Sequence, residues 1–193
     1  MFFAYPNDAK TFPLQYQYFY GPGLLVAPVT EENSTTTTIY LPNDIFYDFY
    51  THETVRGTGS MVTLTDVAYT TIPLYYKGGQ IIAQRANSAN TTTELRKQDF
   101  NIVIAPGLKG TATGHLYLDD GDSIVQVATS YITFTYSAKG KFTMTGSFGY
   151  DAGVSITSIT VLGSGANASA PTGYQSKVQQ ARIPLTGPHS VQL

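Results

Sequence analysis

Three histidines and thirteen carboxylates are the residues of this chain able to hold metal or move protons. His52, His115 and His189 have no partner at metal-ligand spacing, and no His-Glu-x-x-His pattern occurs. They read as surface or strand-end histidines, and no metal site is expected. Cysteine is absent, which removes disulfides, thiol catalysis and thiolate metal sites. There is no Gly-x-Ser-x-Gly elbow and no phosphate-cradling glycine loop. The acids cluster at Glu31-Glu32 and at Asp119-Asp120-Asp122, both beside turn residues. Acids placed so serve the backbone, although three carboxylates in one turn leave a weak cation site as the sharper alternative. No pair of acids can be placed in one cleft from the sequence. Three Asn-x-Ser/Thr sites, at Asn33, Asn90 and Asn167, lie in polar, turn-like surroundings and are candidates for N-glycosylation.

The elements that must carry these residues are β-strands. The 193 residues include 15 tyrosines, 10 phenylalanines and 18 glycines, which suits pleated sheets joined by tight turns. Charged residues make up only 12%, about half the usual share of roughly 25%. The net charge of −2 offers no field for nucleic acid and no basic patch for a membrane. No apolar run approaches the roughly 18–20 residues of a membrane span. Met1–Pro6 has no basic lead-in and too short an apolar stretch for a signal peptide, so any export signal is expected outside this chain.

Short apolar runs between turn signals place strands at Leu24–Val29, Thr35–Tyr40, Ile45–Tyr50, Val62–Leu64, Thr71–Tyr76 and Gln80–Ile82. Residues 85–99 are polar and read as a linker or a long loop. Strands resume at Phe100–Ala105, then at Gly114–Leu118 and Ser123–Val127 as a hairpin turning on Asp119-Asp120-Gly121-Asp122. Tyr131–Tyr136 and Lys141–Thr145 alternate cleanly. In Val154–Val161 the alternation slips by one, as a β-bulge requires. Ala181–Leu185 and Ser190–Leu193 close the chain. Residues 1–23 carry an unusual load of aromatic surface. Two readings stand for them: a core strand plus loop, or a docking segment.

The order of segments resembles the C-terminal part of secreted, fungal-type α-glucosidases of glycoside hydrolase family 31. The likeness runs through Phe2–Asp8, then Gln17–Val29, then Leu41-Pro42 with Phe46-Tyr47-Asp48. It continues through Ile72-Pro73-Leu74 with Lys77–Ile82, and through Thr91–Arg96 to Gly114–Ser123. The chain departs from the family pattern at Ala4, Gln15 and Ala83. The resemblance implies two consecutive antiparallel β-sandwich-like domains, over 24–98 and 99–193. They follow a remnant of the last unit of a (β/α)8 barrel, over 1–23.

It further implies a retaining, maltase-type enzyme that releases glucose from the non-reducing ends of α-1,4-glucans, secreted in its full-length form. The family's two catalytic aspartates lie on the barrel. Its nucleophile signature contains tryptophan, which this chain lacks. No catalytic or substrate-binding residue therefore carries over: Asp44, Asp48, Asp119, Asp120 and Asp122 match none. A retaining glycosidase needs two carboxyls about 5–5.5 Å apart, so the chain alone is expected to be inactive and to need no cofactor. Its expected partner is the catalytic barrel, with α-glucan reached only through it, and neither nucleic acid nor membrane. The first 23 residues are then expected to expose their rings. The alternative is a stand-alone carbohydrate-binding β-sandwich, with Ile45–Tyr50 as a stacking strand, against which stands burial of that strand in the core.

Overall fold

A computed structural model of the chain describes residues 1–163 and 176–193. Asn167 lies outside them. The fold is mostly β, in two compact units, one covering residues 1–78 and the other the described residues from 79 onward.

In the first unit the strands are β1 (Tyr18–Tyr20), β2 (Leu24–Val26), β3 (Thr37–Leu41), β4 (Ile45–Asp48), β5 (Thr54–Arg56), β6 (Ser60–Leu64) and β7 (Leu74–Lys77). Five form a sheet in the order β1-β2-β7-β4-β5, while β3 and β6 pair as a separate ribbon. Leu25 and Ala27, Phe46 and Tyr75 from the sheet side meet Ile39 and Leu41 of the ribbon in one core cluster. Burying such apolar side chains is the main favourable term, each worth about 1.5–3 kcal/mol when fully enclosed.

The first 17 residues are tied onto this unit by side chains rather than by strand pairing. Tyr5 donates its hydroxyl to Asp44 at 2.9 Å, and Tyr40 donates to Asp8 at 2.6 Å. Lys10 Nζ donates to the Gly59 carbonyl at 2.9 Å. The buried Gln17 side chain pairs with both backbone groups of Tyr40.

The second unit holds β8 (Gln80–Arg85), α1 (Thr92–Arg96), β9 (Phe100–Ala105), β10 (Ala112–Leu118), β11 (Ser130–Tyr136), β12 (Lys141–Phe148), β13 (Ser155–Leu162), β14 (Ser176–Pro184) and β15 (His189–Gln192). These strands form one sheet ordered β14-β13-β9-β8-β10-β11-β12-β15. Both halves contribute to a single core, with Ile102, Ile104, Ile156 and Ile159 from one side and Ile132, Phe134, Phe142 and Met144 from the other. The sheet thus folds over on itself as a sandwich, hinged where β8 meets β10 in parallel at Gln80 and Thr113. Gly114 makes that approach possible: a Cβ there would overlap the Ile81 carbonyl oxygen.

The bulge in β13 sits where the alternation slips, between Ile156 and Ser158. The extra residue lets Ile156 and Ile159, three apart, both reach the core. Of the two readings of 85–99 the structure has the long loop: it carries α1 and joins β8 to β9, which run antiparallel from Gln80↔Ala105 to Arg85↔Phe100. One local expectation needs correction. Ser123–Val127 is not a strand. β10 pairs instead with β11, from Ala112↔Tyr136 to Leu118↔Ser130, and 119–129 is the loop between them. Ile124, Val125 and Val127 stand in solvent with no strand beside them.

Candidate functional site

Several of the carboxylates, Asp44, Asp48, Asp119 and Asp120 among them, are committed to local structure. Asp44 accepts from Tyr5, from its neighbour's backbone (Ile45 N–H, 2.9 Å), and lies 3.7 Å from Lys77 Nζ. Burial, then Asp44, raises the Tyr5 phenol far above its ordinary value. Asp48 closes the β4–β5 turn by accepting from Tyr50 and Thr51 N–H at 2.8 and 2.7 Å. His52 occupies the left-handed position of that turn. Asp119 pairs with Arg96 at 3.2 Å. Asp120 accepts from the Ser123 hydroxyl and from the Asp122 and Ser123 N–H groups, and these bonds hold its carboxyl well below the usual range. Among the described residues, no group of three or more histidines and acids is placed to hold a metal. His115 stacks on Tyr131 at 5.5 Å, with Thr133 Oγ1 3.3 Å from its Nδ1, and His189 is exposed at the start of β15. Asn33 and Asn90 are both exposed, Asn33 with a positive φ in a turn and Asn90 just ahead of α1.

Two surfaces stand out. The first is aromatic and belongs to the first unit. Phe2, Phe3, Phe12, Tyr16, Tyr18 and Tyr20 are exposed, Phe3 at 89% and Tyr20 at 74%. Strand alternation explains part of this: in β1 Tyr18 and Tyr20 face solvent while Phe19 packs on the core. Tyr5 also packs on that core. The expectation that residues 1–23 expose their rings thus holds for six of the eight aromatics in that segment; Tyr5 and Phe19 are the exceptions. By contrast, the strand considered for sugar stacking is core only at its centre, and Tyr50 at its end is exposed. Phe46 and Tyr47 are buried, and Tyr50 turns its hydroxyl onto the Ile72 carbonyl at 3.0 Å.

The second surface is a cleft of about 760 Å³ in the second unit. Its walls include Arg85, Arg96, Tyr117, Asp119, Asp122 and Tyr150. The Arg96 guanidinium lies against the face of Gly121, where any Cβ would overlap it, and φ there is +73°. Desolvation, then the nearby Asp119 carboxylate, raises the Tyr117 phenol above its ordinary value. Arg85 lies 4.0 Å over the Phe100 ring and donates to the Arg96 and Gln98 carbonyls. These residues come from β8, α1, β10, the following loop and the segment after β12. No sequence spacing announces them; the one available signal is Thr91-x-x-Glu94, whose threonine caps α1 and so sets Arg96.

Residues 1–82 match the glycosyl hydrolase family 31 C-terminal domain. The whole chain is similar to a probable alpha/beta-glucosidase of Neosartorya fischeri, at 48% identity, and spans 23% of that protein's length. Among solved structures, 98% of the chain superposes on 24% of a chain of the ER glucosidase II heterodimeric complex, with TM-score 0.83 and 23% identity. In a glucosidase II alpha subunit, 88% of the chain matches 20% of that chain, with TM-score 0.76 and 28% identity. No helix among the described residues is long and apolar enough to cross a membrane. The chain belongs to the C-terminal region of glycoside hydrolase family 31 glucosidases.

Proposed function

We propose that the chain is the non-catalytic C-terminal support of a secreted, retaining α-glucosidase of maltase type, and that its partner is the catalytic barrel. Residues 1–23 derive, in this reading, from the barrel's last β/α unit, and their rings pack on its remainder. The observation that carries the reading is the pairing of anchored backbone with exposed rings. Tyr5, Lys10 and Gln17 fix the segment to the first unit, while Phe2, Phe3, Phe12, Tyr16, Tyr18 and Tyr20 face outward. An accumulation of exposed rings of this kind marks an interface. The curated relative is more than four times as long, so most of its length is available to cover that surface. Asp44, Asp48, Asp119 and Asp120, each serving a turn, a tyrosine or an ion pair, support the non-catalytic role, since acid catalysis and covalent capture need two acids flanking the bond.

A split enzyme tests this. The Neosartorya fischeri relative, shortened by the portion aligned with this chain, is expressed with and without the 193-residue chain. The two pieces should associate, and α-glucoside hydrolysis should require both. Turnover of maltose by the chain alone, or full activity of the shortened relative without association, would overturn the proposal.

A further inference from the structure

We propose that the cleft between α1, β10 and the 119–129 loop is a binding site for a neutral gluco-oligosaccharide, separate from any catalytic chemistry. Three features select that ligand class. The charges lining the cleft cancel: Arg85, Arg96 and Lys97 stand against Asp119, Asp120 and Asp122. A balanced wall creates no net field to gather an anion or a cation, which leaves neutral polar ligands. The hydrogen-bonding groups are paired donors and acceptors. Arg96 and Asp119, 3.2 Å apart, present a guanidinium donor beside a carboxylate acceptor at the cleft surface. Adjacent hydroxyls of a sugar, each both donor and acceptor, fit such a pair. Finally, Tyr117, 51% exposed, and Tyr150 supply rings for the apolar C–H face of a pyranose. The volume falls within the roughly 300–1,000 Å³ of small-molecule sites.

The ordering elements are already in place. Asp120 holds the loop turn, Gly121 leaves room for Arg96, and Thr91 caps α1, so little has to be frozen on binding. The choice of glucose as the sugar rests on the functional reading above; the cleft's taste for a neutral polyol does not.

The test is calorimetric titration of the 193-residue chain with maltoheptaose, with mannoheptaose and a sulfated glucan as controls. A dispersed amide spectrum confirms that each variant is folded. Maltoheptaose should bind with Kd about 1 mM or tighter. Tyr117→Ala and Arg96→Gln should each weaken binding about ten-fold. Tyr69→Ala, an exposed ring in the first unit, should leave it unchanged. Arg96→Gln keeps the test open if the tyrosine variant does not fold. Absence of saturable maltoheptaose binding at about 10 mM, tighter binding of the sulfated glucan, or binding unaffected by both cleft variants would overturn the proposal. Preference for mannoheptaose would overturn it too, while leaving the split-enzyme result untouched.

Discussion

Gln17→Ala should cost the first unit far more than one surface-proximal amide suggests. Gln17 is only 7% exposed. Its Oε1 accepts from Tyr40 N–H at 2.8 Å, and its Nε2 donates to the Tyr40 carbonyl at 2.5 Å. The amide stands where a neighbouring strand would, on the open side of β3. Tyr40 is itself 2% exposed, so truncation strands two buried backbone groups. Each costs about 1–3 kcal/mol when left without a partner. Water entering the vacated space offsets part of this, leaving about 3 kcal/mol. For a unit of this size, each kcal/mol shifts Tm by roughly 4–8 °C, so the melting transition should fall by more than about 10 °C. Gln17→Glu sharpens the test. It keeps an acceptor for Tyr40 N–H but turns the second oxygen, without a proton, toward the Tyr40 carbonyl. At neutral pH it should be at least as damaging as alanine. The deficit should narrow as pH falls toward the carboxyl's own range, about 4.3 or above, and a donor is restored. Melting followed by circular dichroism reads both. A Gln17→Ala Tm within about 3 °C of the parent would refute the strand-mimic argument.

Other consequences are open to direct measurement. Gly114→Val should destabilise the second unit by about 3 kcal/mol in urea unfolding, because the new Cβ meets the Ile81 carbonyl where β8 and β10 approach. Burial and the bond to Asp8 push the Tyr40 phenol up to about 12, and burial with Asp48 nearby does the same for Tyr75. Their folded values lie above the ordinary phenol value of about 10, so this contribution is whole below pH ~10 and is lost as pH rises through about 12. Phenolate absorbance should therefore show a late phase that coincides with unfolding. Secretion from a fungal host should add glycan at Asn33 and Asn90, read as an endoglycosidase-sensitive mass that Asn33→Gln and Asn90→Gln each reduce.

What the sequence made legible was whatever alternation writes locally. The slip within Val154–Val161 pointed to a bulge, which the strand pairing places between Ile156 and Ser158, because a sandwich core tolerates only one phase per strand. Phe100–Ala105 was legible as a buried apolar run for the same reason. The 119–129 loop was not. Asp-Gly chemistry specifies a turn, but whether the next residues pair depends on which strand lies beside β10, and that place is taken by Ser130–Tyr136. The stretch 85–99 was legible only in part. Its polarity allowed a linker or a long loop, and the choice of loop rests on the backbone bonds that pair Gln80–Arg85 with β9, which composition does not record. The cleft was illegible because Arg96, Tyr117 and Tyr150 share no local period; only the folded sheet brings them together.

The two surfaces differ in the kind of occupant they can accept, and the difference follows from how each is built. Tyr18 and Tyr20 project from an edge strand whose other face is core, so a broad partner can cover them without disturbing Phe19 or Leu25 behind them. Burying such rings supplies affinity but little selectivity, since the hydrophobic effect is non-directional. The cleft is the reverse. Its ion pair and turn acids carry few apolar atoms, and its selectivity must come from directed hydrogen bonds among charges already satisfied within the fold. A ligand there has to match existing geometry rather than displace it. A large apolar partner suits the first surface and a small hydroxylated one the second. That division of labour is what a supporting region would need if it both covered a catalytic domain and held a length of its substrate.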